Sequence, residues 1–328
     1  MPKIKLDPSK IETGLIGLGL MGRSIAACLL SAGHGVTAVA RREDNHPAAR
    51  RRVLQLLRQM RREGLMRRNP ETLIARLTIS EDYRALTHCD VVIESIIEDL
   101  EVKRDVYRAV EEVVAPRAII GSNTSAIPLS LLQQDARHPE RFVGIHWDEP
   151  AHITRFMEVI AGARTAPRFA QRVMNLAALW GKESSLLRRD IRGFITNRVS
   201  YAMFREACYL VDSGIATVED VDRSLRNDVG WWITFAGPFR YMDLMGVEGY
   251  HRVMKDLLPE LSTETAPPRA IRAVVESGGK GIANSKGFYR YKPGEAKRWE
   301  ELFVKFNYDI RRLAMKYPAD AAKGGRKA

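Results

Sequence analysis

Short apolar runs alternate with amphipathic stretches through the first part of the chain, which is the order typical of a doubly wound α/β sheet. The apolar runs predict buried strands, and the stretches between them carry apolar residues at helical spacing. Strands are predicted near 14–16, 36–39, 77–79, 91–93, 118–120, 142–145, 156–160 and 183–187. Helices are predicted over 24–30, 100–114 and 167–180, with an arginine-rich helix between the second and third strands.

Beyond residue 193 the pattern becomes helical, and prolines and glycines interrupt it. A chain of 328 residues is long enough for two domains with a core in each. We predict a dinucleotide-binding domain over 11–189, an all-helical C-terminal domain over 190–317 and a frayed basic tail over 318–328.

A glycine-rich motif follows the first predicted strand, where residues 17–22 read GLGLMG. A strand, this glycine pattern and a helix in that order are what a Rossmann-type dinucleotide-binding turn requires. The glycines permit a tight turn, and the helix N-terminus faces the pyrophosphate charge. A glycine-rich turn without a ligand is the alternative, but the position at the start of a long α/β pattern favours a cofactor. The predicted contacts are Gly17, Gly19, Leu20, Met21 and Gly22.

The end of the second predicted strand bears on which cofactor is bound. An acid that binds the adenine ribose hydroxyls is expected there, but the chain has Ala40 followed by Arg41 and Arg42. Loss of the acid and gain of two cations suits a 2′-phosphate. We therefore predict an NAD(P) cofactor with NADP(H) favoured over NAD(H), and we count these three residues in its site.

Composition places the chain among ordinary globular proteins, since 45% of its residues are hydrophobic and 28% are charged. The first residues contain no apolar signal region, and no apolar run approaches membrane-spanning length. The cysteines, Cys28, Cys89 and Cys208, are scattered and odd in number, which predicts neither a disulfide framework nor a zinc site. We expect a cytoplasmic protein with no membrane partner.

The formal net charge of +12 is concentrated, because eight arginines lie within residues 50–68. One interpretation is the solvated face of a helix. The other is a surface that binds the phosphates of a cofactor or of a substrate like coenzyme A. Nucleic acid is not expected, because the run has no interleaved aromatic residues and no recognition motif.

Polar residues stand where several predicted strands end, which is where doubly wound sheets bind ligands. His146 ends an apolar strand, and Glu158 lies on the strand that returns beside it. A histidine can take the hydroxyl proton when a nicotinamide oxidises an alcohol, and a carboxylate would fix its tautomer. Ser125 and Asn197 could bind substrate oxygens. On residue type alone, a structural histidine at 146 remains the alternative.

The combined motifs resemble the L-3-hydroxyacyl-CoA dehydrogenases. They lie at 17–22, 93–98, 122–125, 144–146, 158–160, 193–198, 237–239, 243–244 and 286–289. The resemblance implies His146 as the catalytic acid/base with Glu158 as its orienting partner, and Ser125 and Asn197 as substrate-polarising residues. It also implies a homodimer formed through the C-terminal helices. The cofactor contacts that it implies near the nicotinamide are Glu98, Lys103, Ser122 and Asn123.

The chain departs from the family pattern at Glu149, where the family typically has an asparagine before the proline. An ionised carboxylate only accepts hydrogen bonds, so it would not suit a thioester oxygen. Either Glu149 turns away, for instance to bind backbone N–H groups of its loop, or the substrate presents a donor there. No metal is predicted, because the spacing of the acids and histidines over 146–152 matches no ligand pattern.

We therefore predict hydride transfer between a nicotinamide dinucleotide and the C3 alcohol or ketone of a 3-hydroxyacyl-CoA. The alternative substrate is a 3-hydroxy acid without coenzyme A, similar to carnitine or gulonate. A non-catalytic protein that kept the fold is a third possibility, which retention of the candidate catalytic residues disfavours.

Overall fold

The computed structural model describes residues 6–41 and 45–318, and it divides into two compact units, Met1–Asn197 and Arg198–Ala328. The division falls after the predicted boundary at 189, because the intervening residues bind to the first unit. The Asp190 carboxylate accepts hydrogen bonds from the backbone and hydroxyl of Ser130, and Phe194 packs in a buried cluster. Residues 319–328 of the predicted tail lie outside the described residues.

The first unit is built on an eight-stranded sheet with the order β3-β2-β1-β4-β5-β6-β7-β8. Neighbouring strands are parallel except for β6 and β7, which are antiparallel. This confirms the predicted doubly wound sheet, in which ligands bind where the strand order reverses beside β1. The strands are β1 (Glu12–Ile16), β2 (Gly35–Val39), β3 (Leu77–Ser80), β4 (Val91–Glu94), β5 (Ile119–Ser122), β6 (Phe142–His146), β7 (Glu158–Ile160) and β8 (Ser185–Leu187).

Helices cover both faces of this sheet, so the central strands are apolar on both sides. Two successive residues of β1 show this. Leu15 packs in the core on one face of the sheet, and Ile16 packs with Tyr107 in the core on the opposite face. The helices of the first unit are α1 (Leu20–Ala32), α2 (His46–Arg62), α3 (Pro70–Ile74), α4 (Leu100–Val113), α5 (Leu129–Leu132) and α6 (Pro167–Leu179).

The described residues of the second unit form helices and turns with two isolated β-bridges, which confirms the predicted helical C-terminal region. Among its described residues, only Val221 and Tyr308 are buried. Large apolar side chains are exposed, such as Phe239 at 80% and Trp231 at 81% of their surface. Helix α7 (Thr196–Asp212) begins with the last residues of the first unit and continues into the second. The helices that lie wholly in the second unit are α8 (Val218–Asn227), α9 (Val229–Ile233), α10 (Gly237–Met245), α11 (Val247–Leu257), α12 (Arg269–Glu276) and α13 (Glu295–Lys316). In the described part of the chain, no helix is both long and apolar enough to cross a membrane.

Candidate active site

The centre of the candidate site is a hydrogen bond between His146 and Glu158. The antiparallel pairing of β6 and β7 sets these two residues directly opposite each other. Their side chains meet with Nδ1 of the imidazole 2.8 Å from Oε2 of the carboxylate, and both residues are buried. The predicted pair is thus assembled by strand register, and the other ring nitrogen of His146 is not part of this bond.

The second oxygen of Glu158 binds the beginning of α7. Its Oε1 accepts hydrogen bonds from the backbone N–H groups of Ile195 and Thr196, each at 3.0 Å, and from the Thr196 hydroxyl at 3.3 Å. A carboxylate at a helix N-terminus is also favoured by the helix dipole.

These bonds decide the charge of Glu158. Burial acts to raise its pKa, but the hydrogen bonds from His146 and from the Thr196 backbone outweigh burial and hold the pKa below the ordinary value. Glu158 is therefore an anion at neutral pH. An anion at Oε2 requires a proton on Nδ1 of the neutral imidazole, which leaves Nε2 with its lone pair.

Two phenylalanines contact the imidazole of His146. The Phe156 ring meets it edge-on with centroids 5.5 Å apart, and the Phe194 ring lies 5.4 Å away at a tilted angle. Phe194 has a positive φ of 50°, a left-handed conformation that costs a bulky residue roughly 1–3 kcal/mol. Sequence reasoning did not find either ring, since nothing about a phenylalanine signals a left-handed backbone.

Ser125 and Asn197 lie in the same neighbourhood. Ser125 is an exposed residue of the loop after β5, and its backbone carbonyl accepts a 3.0 Å hydrogen bond from Nδ2 of Asn197. Asn197 directly follows Thr196, which binds Glu158. The structure therefore joins the Asn197 side chain to the Ser125 backbone, beside a residue that binds Glu158. The catalytic roles of Ser125, Asn197, His146 and Glu158 stay predictions.

The glycine-rich turn between β1 and α1 is shaped to admit a dinucleotide. Gly17 has a φ of 92°, and a Cβ at Gly22 would lie only 2.0 Å from the Gly17 carbonyl oxygen. At Gly19 an added Cβ would meet nothing within 4 Å, and no side chain caps the first N–H groups of α1. Open space before unsatisfied helix donors fits a pyrophosphate. Of the other predicted contacts here, Leu20 is exposed and Met21 is partly buried.

A buried ion pair between Glu94 and Lys103 lies at the end of β4. Glu94, at the end of β4, accepts hydrogen bonds from Lys103 at 2.6 Å, from Tyr107 at 2.5 Å and from Ser122 at 2.9 Å. Lys103 and Ser122 have almost no exposed surface, at 0% and 1%. Both side chains bind Glu94 in this structure, and their contact with the cofactor stays a prediction.

Glu98 and Asn123 are the predicted nicotinamide contacts that retain exposed surface. Burial acts to raise the pKa of Glu98, but its bond to Thr124 and the charge of Lys103 lower it overall. Oε1 of Glu98 also accepts from the Ser125 backbone at 2.9 Å. Oδ1 of Asn123 accepts from the backbone of the residue after His146 at 2.9 Å. Both residues thus tie the loops around the site together.

At the end of β2, Ala40 is buried and donates its N–H to the Ser80 carbonyl. Arg41 is exposed, and Nε2 of His46 lies 3.2 Å and 3.0 Å from the carbonyl oxygens of Ala40 and Arg41. Residue 40, where an NAD-type site has its acid, is therefore a buried alanine. Arg42, the other predicted contact, lies outside the described residues.

Two arginines of the arginine-rich helix α2 make structural contacts. Arg50 donates to the carbonyl groups of Ile74 and Leu77, and Arg58 pairs with Glu71 at 2.9 Å, so these two arginines hold α2 against its neighbours. Other arginines of the run are exposed and face solvent, and these are Arg51, Arg52, Arg61, Arg62, Arg67 and Arg68.

Glu149 lies beside α1. Burial raises the pKa of its carboxyl above the ordinary value, although Ser24 of α1 and the Ala151 backbone act in the opposite direction. One oxygen, Oε2, is buried and has no hydrogen-bond partner among the described residues. Its contacts with α1 and its own loop favour the interpretation that Glu149 turns back onto the protein.

These features define a nicotinamide-dependent oxidoreductase of the Rossmann type. Comparison with known families agrees: residues 12–191 match the NAD-binding domain of 3-hydroxyacyl-CoA dehydrogenase, and residues 193–291 match the C-terminal domain. The chain belongs to the 3-hydroxyacyl-CoA dehydrogenase family. Among residues 6–41 and 45–318, no group of three or more histidine, cysteine or acidic side chains is placed to hold a metal ion.

Two curated relatives differ in the substrates that their names give. The chain is 33% identical over 86% of its length to a 5-formyl-3-hydroxy-2-methylpyridine 4-carboxylate 5-dehydrogenase of Mesorhizobium japonicum, covering 91% of that protein. It is 29% identical over 86% of its length to a probable 3-hydroxybutyryl-CoA dehydrogenase of Deinococcus radiodurans, covering 100% of it.

Solved structures show the same two kinds of relative. The structure of a 5-formyl-3-hydroxy-2-methylpyridine 4-carboxylic acid 5-dehydrogenase, named an NAD+-dependent dismutase, aligns with a TM-score of 0.87 at 29% identity over 94% of this chain and 99% of that one. The structure of a (S)-3-hydroxybutyryl-CoA dehydrogenase from Ralstonia eutropha aligns with a TM-score of 0.70 and 25% identity. The alignment covers 86% of this chain and 99% of that one.

Two glycine substitutions test the cofactor turn. In Gly19→Ala the methyl group enters space that the pyrophosphate needs, so we expect an unchanged Tm and a cofactor Kd raised about tenfold, or about 1.4 kcal/mol. In Gly22→Ala the methyl group meets backbone, so we expect the free energy of unfolding to fall by about 1–3 kcal/mol. Thermal melts and cofactor titration measure both. Normal cofactor affinity in Gly19→Ala would exclude this turn as the binding site.

Proposed function

We propose that the protein transfers hydride between a nicotinamide dinucleotide and C3 of a 3-hydroxyacyl-CoA. The observation that carries this proposal is the 2.8 Å bond between Nδ1 of His146 and Glu158, which leaves Nε2 as a base. A nicotinamide dinucleotide held at the turn of Gly17, Gly19 and Gly22 would supply the hydride chemistry. Nε2 of His146 takes the hydroxyl proton during oxidation and returns it during reduction, while Glu158 stabilises the imidazolium. Ser125 and Asn197 hold the substrate oxygens.

A coenzyme A thioester gives the exposed arginines of α2 a role. Its phosphates are anions that guanidinium groups bind bidentately, and Arg51, Arg52 and Arg61 are exposed. The relatives named 3-hydroxybutyryl-CoA dehydrogenase support the same class of substrate.

A second candidate substrate is a carbonyl or alcohol without coenzyme A, such as a 3-hydroxy acid or an aromatic aldehyde carrying a carboxylate. The higher TM-score of the pyridine-carboxylate dehydrogenase, 0.87 against 0.70, favours this candidate. A hydrated aldehyde presents a hydroxyl and a hydride on one carbon, so the same base serves its oxidation.

Replacing His146 tests the catalytic proposal. His146→Ala should lower kcat by roughly 10²–10⁴-fold, because general-base catalysis contributes about that much. Cofactor Kd should hardly change. The matched control is His138→Ala, whose histidine is about half exposed and pairs with Glu140, and it should retain full activity. Near-normal turnover in His146→Ala would remove the assignment.

A substrate panel in the same assay separates the two candidates. Cofactor absorbance is followed with acetoacetyl-CoA, longer 3-ketoacyl-CoA esters, carnitine, gulonate and a pyridine-carboxylate aldehyde. The main proposal requires the highest kcat/KM with a coenzyme A ester. A higher value with an acid that lacks coenzyme A would replace it with the second candidate.

We also propose that NADP(H) is the preferred cofactor, because Ala40 and Arg41 replace the ribose-binding acid. A charged hydrogen bond to the 2′-phosphate is worth about 1.5–3 kcal/mol. Arg41→Ala should therefore raise KM for NADPH about tenfold or more and leave KM for NADH unchanged. The exposed Arg117 supplies the control variant Arg117→Ala. A clear wild-type preference for NADH would overturn this proposal.

We propose further that the protein is a homodimer formed through its second unit and that it works in the cytoplasm. Because only two side chains of its described residues are buried, many large apolar side chains of that unit are exposed. A second copy of the chain would cover them. The scattered cysteines fit a reducing compartment. Sedimentation equilibrium should give twice the chain mass of 37.0 kDa. A monomer at micromolar concentration would contradict the dimer.

A further inference from the structure

Phe194 combines two properties that rarely occur together. It is 1% exposed, and its backbone is left-handed with a φ of 50°. Asn45 and Ser285 also have positive φ, but they are small polar residues, whereas a phenylalanine adopts this region only when its surroundings impose it. Strained residues of this kind cluster at functional sites.

The side chain of Phe194 limits the freedom of the imidazole. Its ring centroid lies 5.4 Å from that of His146. The ring also packs with Ile160 of β7 and Leu187 of β8. Both of those residues belong to the sheet, so the ring is held on a rigid support. An imidazole in contact with this ring cannot rotate freely away from Glu158.

The left-handed backbone at Phe194 orients the N–H groups of the next two residues toward Glu158. Gly193 and Phe194 both have positive φ, at 79° and 50°. The next two N–H groups, at Ile195 and Thr196, converge on one carboxylate oxygen at 3.0 Å each. Successive N–H groups that follow a left-handed residue form a concave anion site of this type.

We propose that Phe194 is a positioning residue for the His146–Glu158 pair. Its ring fixes the orientation of the imidazole, and its strained backbone fixes the carboxylate that binds the same imidazole. One residue therefore controls both partners of the hydrogen bond. This role rests on the proposed function, since it concerns the base of that reaction.

The competing explanation is that Phe194 only fills space in the small cluster with Ile160 and Leu187. A purely structural role predicts a lower Tm and nothing specific at the site. A positioning role predicts a change in the hydrogen bond itself. The Nδ1 proton shared with a carboxylate gives a far-downfield proton resonance, which needs neither substrate nor cofactor to be observed.

The test compares Phe194→Leu with Phe169→Leu in the full-length protein. Phe169 is a buried phenylalanine of α6 that packs in the main core and supplies the matched control. In Phe194→Leu we expect kcat to fall about tenfold or more, because misplaced catalytic groups cost that much. Cofactor KM should stay unchanged, and the downfield resonance of the wild type should broaden or disappear. Phe169→Leu should lower Tm and keep both kcat and the resonance.

Phe194→Gly is the second variant, because glycine adopts a positive φ without strain and keeps the turn while removing the ring. It should lose the resonance and kcat as Phe194→Leu does. Wild-type resonance and kcat in either variant would overturn the proposal. If no substrate of the panel is turned over, the resonance alone decides: its loss in Phe194→Leu but not in Phe169→Leu supports positioning, and its retention rejects it.

Discussion

The carboxylate of Glu158 is the constraint on which the rest of the site depends. One oxygen binds the imidazole of His146, and the other binds the first N–H groups of α7. These bonds keep the acid ionised despite burial, because they outweigh the cost of desolvation. An ionised acid at that position determines which ring nitrogen of His146 is free, and the free nitrogen determines the chemistry.

The sheet explains why this arrangement is stable. His146 and Glu158 sit opposite each other only because β6 and β7 pair in one register, and a shift of one residue would turn Glu158 to the other face. The cofactor turn stands at the end of β1, where the strand order reverses. The glycine-rich turn and His146 therefore both lie at carboxyl ends of strands in one sheet, while loops provide the remaining polar groups of the candidate site.

Much of the fold was predictable, because long apolar runs and helical spacing report burial directly. The strand pair with His146 and Glu158 was readable for the same reason. The helices α3 and α5 were not predicted, since elements of five and four residues are too short to show a period. The attachment of Asp190 to Ser130 was not predictable, because it joins residues far apart in sequence.

The candidate site was predictable in its residue types but not in its supporting contacts. The resemblance implied cofactor contacts for Lys103 and Ser122, but it gave no sign that both side chains also bind the buried Glu94. The left-handed backbone of Phe194 leaves no trace in a sequence, because it is imposed by packing and not by residue preference. Local sequence pattern therefore identifies the candidate groups, and tertiary contacts decide how they are held.

The most direct test of this account is the tautomer of His146 in the cofactor-free protein, measured from the nitrogen chemical shifts of its ring near pH 8. The signals are assigned by their absence in His146→Gln. A proton on Nδ1 and a bare Nε2 are the predicted result, since Glu158 accepts only from a protonated Nδ1. A ring that carries its proton on Nε2 would contradict the account, because that nitrogen could not then receive the substrate's proton.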